Sequence, residues 1–161
     1  IYVNGMSNGG GMTHILACEL SERIAAVGLV AGAYTYPWEA CQPERPVPAI
    51  VFHGDADRIV PIAGGPIPRA SQTLPDIREW VATLAQRNGC VEAPRELAPQ
   101  GSVRGEAYTR CAADVVFYTV VGGGHTWPGG EGIPAWIGGV TTDDVDATAL
   151  MWEFFAAHPL E

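Results

Sequence analysis

Three stretches of the chain, Ala26–Val30, Ala49–Phe52 and Val115–Val121, are apolar or nearly so without alternation. A strand with one wet face alternates polar and apolar residues, so uninterrupted runs of this length mark strands buried on both sides, as in a parallel sheet sandwiched by helices. The sequence between them agrees. Met12–Ile24 and Val145–Ala157 have helical spacing, and Ser71–Asn88 places Ile77, Trp80, Val81 and Leu84 at helical intervals before stopping at Gly89. Asp143 and Asp144 precede Val145–Ala157, where negative charge suits the helix dipole. Ile1 to Val3 adds an opening strand, and the polar, irregular stretch Cys90–Cys111 has room for a hairpin. The expected fold class is α/β, a mostly parallel sheet with helices on both faces. In such sheets ligands sit beyond the carboxyl ends of the strands.

At 161 residues the chain is one domain, and 47% hydrophobic against 17% charged residues is enough to bury a real core. Eighteen acidic and nine basic side chains leave a net charge of −9, which argues against nucleic acid and against an anionic membrane surface as partners. No apolar run approaches the roughly 18 residues of a membrane span, and Ile1-Tyr2-Val3-Asn4-Gly5 lacks the basic start of a signal peptide.

The first strand runs into Gly5-Met6-Ser7-Asn8-Gly9 and then a helix. This is the G-x-S-x-G nucleophile elbow in its proper context, and Ser7 is the candidate nucleophile. The glycines are expected to relieve crowding in a turn too tight for a Cβ. A serine at its ordinary pKa is a poor nucleophile, so a histidine base and an orienting acid are required. Of four histidines, His14 falls inside the first helix, His158 at the chain end, and His53 closes a strand where it can shape the next turn. His125, within Gly122-Gly123-Gly124-His125-Thr126-Trp127-Pro128-Gly129-Gly130, directly follows the last strand and is the candidate base. Asp55 and Asp57 both follow His53. Asp57, further from the strand end, is the candidate acid, and Asp55 reads as a turn cap. The chain order Ser, Asp, His is that of the α/β-hydrolases.

Together with Arg87-Asn88-Gly89-Cys90, these segments resemble the polyhydroxybutyrate depolymerase family of esterases, which includes feruloyl and acetylxylan esterases. The resemblance runs along nearly the whole chain, and Gly-Gly-His-Thr-Trp-Pro-Gly-Gly is its most specific part. It implies an α/β-hydrolase that is secreted or periplasmic, with Ser7, Asp57 and His125 as catalytic residues and no cofactor or metal. The expected reaction is hydrolysis of feruloyl, acetyl or hydroxyalkanoate esters, polysaccharide-linked or polyester. The resemblance also implies that residues 1–159 are the C-terminal portion of one catalytic domain whose N-terminal half precedes the elbow strand. That half would supply one oxyanion-hole donor beside the N–H of Asn8. Without it the first strand is an open edge, and the chain is expected to bind a complementary fragment or to self-associate. A catalytically silent half-domain that binds such a fragment is the alternative function. Leu160-Glu161 reads as a vector-derived addition.

Four cysteines allow three full pairings. None forms a C-x-x-C pair, which disfavours zinc. Cys90 and Cys111 bracket the irregular segment, and a disulfide there, which the resemblance also favours, is worth about 3 kcal/mol on the chain-entropy model. Cys18 with Cys41 is the weaker pairing, since Cys18, on an apolar helix, reads equally as a buried free thiol and Cys41 equally as having a partner upstream. Trp127 and Tyr34 are candidates for lining the substrate pocket. Trp38, Trp80 and Trp152 read as core or loop anchors, and Trp136 as packed under its loop.

Overall fold

The computed structural model describes residues 1–67 and 71–160. The elements in chain order are β1 (Tyr2–Met6), α1 (Asn8–Glu19), β2 (Ala26–Val30), β3 (Ala49–Gly54), β4 (Gly65–Pro66), β5 (Thr73–Leu74), α2 (Ile77–Arg87), β6 (Arg95–Glu96), β7 (Val103–Tyr108), β8 (Val115–Val120), α3 (Ala135–Gly138) and α4 (Ala147–Ala157). The main sheet has the order β1-β2-β3-β8-β7-β6. β1, β2, β3 and β8 run parallel, while β7 and β6 add an antiparallel hairpin beyond β8. β4 and β5 form a separate two-stranded ribbon. No helix among the described residues is long and apolar enough to cross a membrane.

Two of the three apolar runs are buried on both faces, every residue of β2 and β3 being buried, whereas Val116 and Thr119 of β8 are half-buried and Val121 is exposed. Val27, Leu29, Val51 and Phe117 point into one core with Ile77, Trp80 and Val81 of α2, and Ala17 of α1 packs against it. Val30, Ile50, Phe52 and Val120 point into a second core with Met151, Phe154 and Phe155 of α4. Period-2 alternation in the strands thus supplies two opposite layers. Because β1, β2, β3 and β8 are parallel, the segments that follow them emerge at one end of the sheet. β1 lies at the edge of this sheet.

The starts of three helices depart from the sequence expectation. α1 begins at Asn8 rather than Met12, directly after Ser7, despite three glycines in its first turn. α2 begins at Ile77 rather than Ser71, because the Asp76 carboxylate accepts from the amides of Arg78 and Glu79 and caps it there. The same device starts α4: Asp146 caps the amides of Thr148 and Ala149. Asp143 and Asp144 therefore do not occupy its first turn. Asp144 accepts instead from the amide and hydroxyl of Ser102, which hold its carboxyl below the usual range.

Both cysteine pairs are disulfides, Cys18–Cys41 and Cys90–Cys111. Cys18 is thus no free thiol, and Cys41 finds its partner in α1. Trp152 is 65% exposed and Trp136 is 85% exposed, so neither is a packing anchor. Trp80 is buried, and Trp38 packs half-buried against the same core. Of the expected vector-derived pair, Glu161 lies outside the described residues.

Candidate active site

Ser7 stands between β1 and α1 with φ 58° and ψ −122°, a left-handed backbone that a side-chain-bearing residue adopts only under constraint. The constraint is visible. The Ser7 amide donates to the Val30 carbonyl at the end of β2, and the Ser7 carbonyl accepts from the amides of Gly11 and Ala33. Gly5 is indispensable to the turn, since a Cβ there would lie 2.4 Å from the Gly9 carbonyl. Gly9 is not crowded: a Cβ there would meet nothing within 4 Å, contrary to the expectation from the motif. Ser7 is half-buried and Asn8 exposed at the start of α1.

Asp57 and His125 come together across the loops after β3 and β8. His125 Nδ1 lies 2.8 Å from Asp57 Oδ2, with both residues buried. The other carboxylate oxygen, Oδ1, accepts from the amides of Ile59 at 2.8 Å and Val60 at 2.9 Å. Three donors thus surround one buried carboxylate, which satisfies the charge and fixes its direction. A carboxylate facing Nδ1 requires that nitrogen to carry the proton, which leaves Nε2 as the basic nitrogen of a neutral ring.

Close backbone approach holds the pair. A Cβ on Gly54 would lie 2.2 Å from the Gly123 carbonyl oxygen, so only glycine at the end of β3 lets the two loops touch. The Ala56 amide donates to the Gly123 carbonyl, and the Gly122 amide donates to Asp55 Oδ1 at 2.6 Å. Asp55 therefore ties one loop to the other and is more than a turn cap. The His125 amide donates to the Gly138 carbonyl of α3, and the Gly124 amide to Val140. Sequence reasoning overlooked this 138–140 clamp. The Gly138-Gly139 pair was its available signal, since paired glycines mark close backbone contact.

Ser7, Asp57 and His125 follow β1, β3 and β8 at the same end of the sheet. Among the described residues no hydrogen bond joins Ser7 to His125. His53 Nε2 lies 2.8 Å from the Val60 carbonyl and 3.7 Å from Asp57 Oδ2, and burial depresses its pKa, so it braces the acid loop as a neutral ring. His158 caps α4, with Nδ1 2.7 Å from the Phe154 carbonyl. His14 is buried among Tyr34, Tyr36, Trp38 and Trp80. Tyr34, 3% exposed, is stacked on Trp80 at 3.6 Å and lines a pocket with Tyr36, Trp38 and Leu74. Trp127, half-buried, donates its indole N–H to Thr148 of α4. His14, Cys18 and Cys41 have donor atoms within 4.8 Å of one another, but both sulfurs belong to a disulfide and offer no thiolate to a metal.

Comparison with known proteins points one way. No family model matches the chain. NocK of Nocardia uniformis subsp. tsuyamanensis, named an esterase, is 35% identical over 149 residues, covering 81% of this chain and 43% of that protein. Feruloyl esterase B of Piromyces equi is 32% identical over 151 residues, covering 84% of this chain and 26% of the other. Feruloyl esterase C of Emericella nidulans is 28% identical over 162 residues, covering 97% and 49%. The chain thus spans about half, or less, of the length of the curated relatives it matches.

Proposed function

We propose that this protein is a serine carboxylic-ester hydrolase of the α/β-hydrolase type, with Ser7 as nucleophile, His125 as general base and Asp57 as orienting acid. One observation carries the reading: a buried carboxylate–imidazole hydrogen bond lies at the sheet end where a strained, half-buried serine opens a helix. Similarity to proteins named esterases supports it independently.

In this reading His125 Nε2 takes the Ser7 hydroxyl proton as Oγ attacks the ester carbonyl, and Asp57 stabilises the imidazolium that forms. The N–H of Asn8, at the start of α1, donates to the developing oxyanion. The imidazolium then protonates the leaving alcohol oxygen, giving an acyl-serine. Water, deprotonated by the neutral His125, attacks the acyl carbonyl, and the returning proton frees Ser7 and the acid. A second oxyanion donor and much of the acyl pocket come, on this reading, from sequence beyond these 161 residues, since the chain covers only 43%, 26% and 49% of those three relatives. Feruloyl esters lead the substrate classes because two of the relatives bear that name. Acetyl and hydroxyalkanoate esters follow from the sequence resemblance. Two disulfides fit a secreted or periplasmic protein.

A fluorophosphonate probe tests the assignment. Labelling at Ser7 in the intact protein, lost in Ser7→Ala together with turnover of p-nitrophenyl acetate, supports it. Unchanged turnover in Ser7→Ala refutes the nucleophile.

A further inference from the structure

His53, the last residue but one of β3, makes no hydrogen bond to Asp57 or His125, yet its ring closes the loop that carries the acid. Nε2 lies 2.8 Å from the Val60 carbonyl oxygen. A carbonyl can only accept, so Nε2 carries the proton. Val60 is 3% exposed, with its side chain in the core shared with α2 and its amide donating to Asp57 Oδ1 at 2.9 Å. One residue is thus gripped twice, at its carbonyl by the histidine and at its amide by the aspartate. The other amide on Oδ1 comes from Ile59, whose side chain is 47% exposed and adds little anchoring. Among the described residues, Asp57 and His53 are the side chains that hydrogen-bond the backbone of Ile59 and Val60.

Two observations set this apart from packing. His53 Nδ1 is buried without a partner, a cost that a phenylalanine of similar size would not carry, so the contribution of the imidazole is its Nε2–H. His53 Nε2 also stands 3.7 Å from Asp57 Oδ2, outside hydrogen-bond reach, which leaves that oxygen to His125 at 2.8 Å. One carboxylate oxygen is committed to two amides and the other to the base. The charged and titratable groups acting on His53 are Asp57, His125 and, from α2, Arg78, and burial outweighs them in keeping the ring neutral. A charged His53 would compete with His125 for the same carboxylate.

We propose that His53 is a positioning residue for ester hydrolysis: through Val60 it fixes the rotation of the Asp57 carboxylate, and with it the bond between Oδ2 and the Nδ1–H of His125. This role presupposes Ser7, Asp57 and His125 as the catalytic residues. Without the His53 bond Val60 shifts, its amide leaves Oδ1, and the carboxylate turns away from His125. The imidazolium that forms when His125 takes a proton is then less stabilised, although no group that touches substrate has changed.

Three substitutions in the intact, disulfide-bonded protein separate donor from shape. Glutamine places an amide N–H near the position of Nε2, asparagine carries its N–H closer to the backbone and short of Val60, and phenylalanine keeps a ring without a donor. His53→Gln is expected to match the wild type. His53→Asn and His53→Phe are expected to lose kcat on p-nitrophenyl acetate by on the order of 10²-fold with KM unchanged, and the acid limb of their rate profile moves to lower pH. In NMR of protein with labelled histidine, the downfield Nδ1–H signal of His125 is kept in the wild type and His53→Gln and lost in the other two. That signal reads the pairing whether or not Ser7 is the nucleophile. Wild-type kcat with a retained signal in His53→Asn and His53→Phe overturns the proposal. So does a His53→Gln variant as impaired as His53→Asn, which would reduce the ring to packing, and so does a raised KM with kcat unchanged. Turnover that persists in Ser7→Ala refutes the nucleophile instead, and the N–H signal still decides the role of His53. Should His53→Asn or His53→Phe fail to fold, His53→Gln decides: wild-type kcat and signal support the proposal, and a loss of either at the wild-type melting temperature overturns it.

Discussion

Replacing Gly5 with alanine puts a methyl carbon 2.4 Å from both the carbonyl carbon and oxygen of Gly9 and 3.0 Å from the amide nitrogen of Gly10. Carbon contacts are comfortable at about 3.5 Å. β1 and the first turn of α1 must therefore separate by roughly 1 Å, and the atoms in the way are backbone, with no rotamer to turn aside. Overpacking of this kind costs about 3 kcal/mol, which in a chain of this size lowers the melting temperature by roughly 6–12 °C. Gly9 is the matched control from the same motif. Its alanine methyl meets nothing within 4 Å, and within α1 alanine is the better helix former by up to about 1 kcal/mol. Thermal unfolding followed by circular dichroism should show Gly5→Ala strongly destabilised and Gly9→Ala unchanged or slightly more stable. Equal melting temperatures for the two variants would refute the claim that backbone crowding at Gly5 shapes the elbow.

Asp57→Asn keeps an oxygen for the Ile59 and Val60 amides but gives His125 Nδ1 an uncharged partner. Ester turnover should fall on the order of 10³- to 10⁴-fold with the fold intact by circular dichroism. His14 is depressed from 6.5 to about 4, first by burial and then by Arg87, so the unfolded chain binds a proton that the native state refuses between those values. Stability from this residue is full above pH 6.5 and declines as pH falls toward 4, by up to about 3 kcal/mol. Urea midpoints at pH 7 and pH 4.5 should therefore differ more in the wild type than in His14→Leu. Breaking Cys18–Cys41 as the double serine variant opens a loop of sequence separation 23 and should cost about 3 kcal/mol, read from the same urea curves.

The parts of this structure that were legible in the sequence are those decided within a few residues of chain. The bounds of β2 match its apolar run, because a strand buried on both faces needs nothing but apolar residues. His53 shaping the turn after β3 was equally readable, since its partner, the Val60 carbonyl, lies seven positions away. Two departures from expectation turned on distant contacts. Asp144 looked like a helix start until Ser102, 42 positions earlier, claimed its carboxylate and left the cap to Asp146. Cys18 stood open between a disulfide to Cys41 and a core thiol, because nothing in its own helix shows that Cys41 packs against it.

The contact between Asp57 and His125 spans 68 positions and belongs by this rule among the illegible features. It could be anticipated because the chain records close loop contact in another way. Gly54 stands where a methyl group would collide with the backbone of Gly123 and Gly124, and Gly124 where one would collide with Gly138, so the glycines that permit these contacts also mark their place in the sequence. By the same logic Gly54→Ala, distant in sequence from the imidazole, should act on His125. Its methyl would press on the Gly123 carbonyl, which also accepts from Ala56, and would push the histidine loop off the aspartate. Turnover of p-nitrophenyl acetate should therefore drop in Gly54→Ala, and a wild-type rate would show that the two loops do not need this approach to hold the histidine.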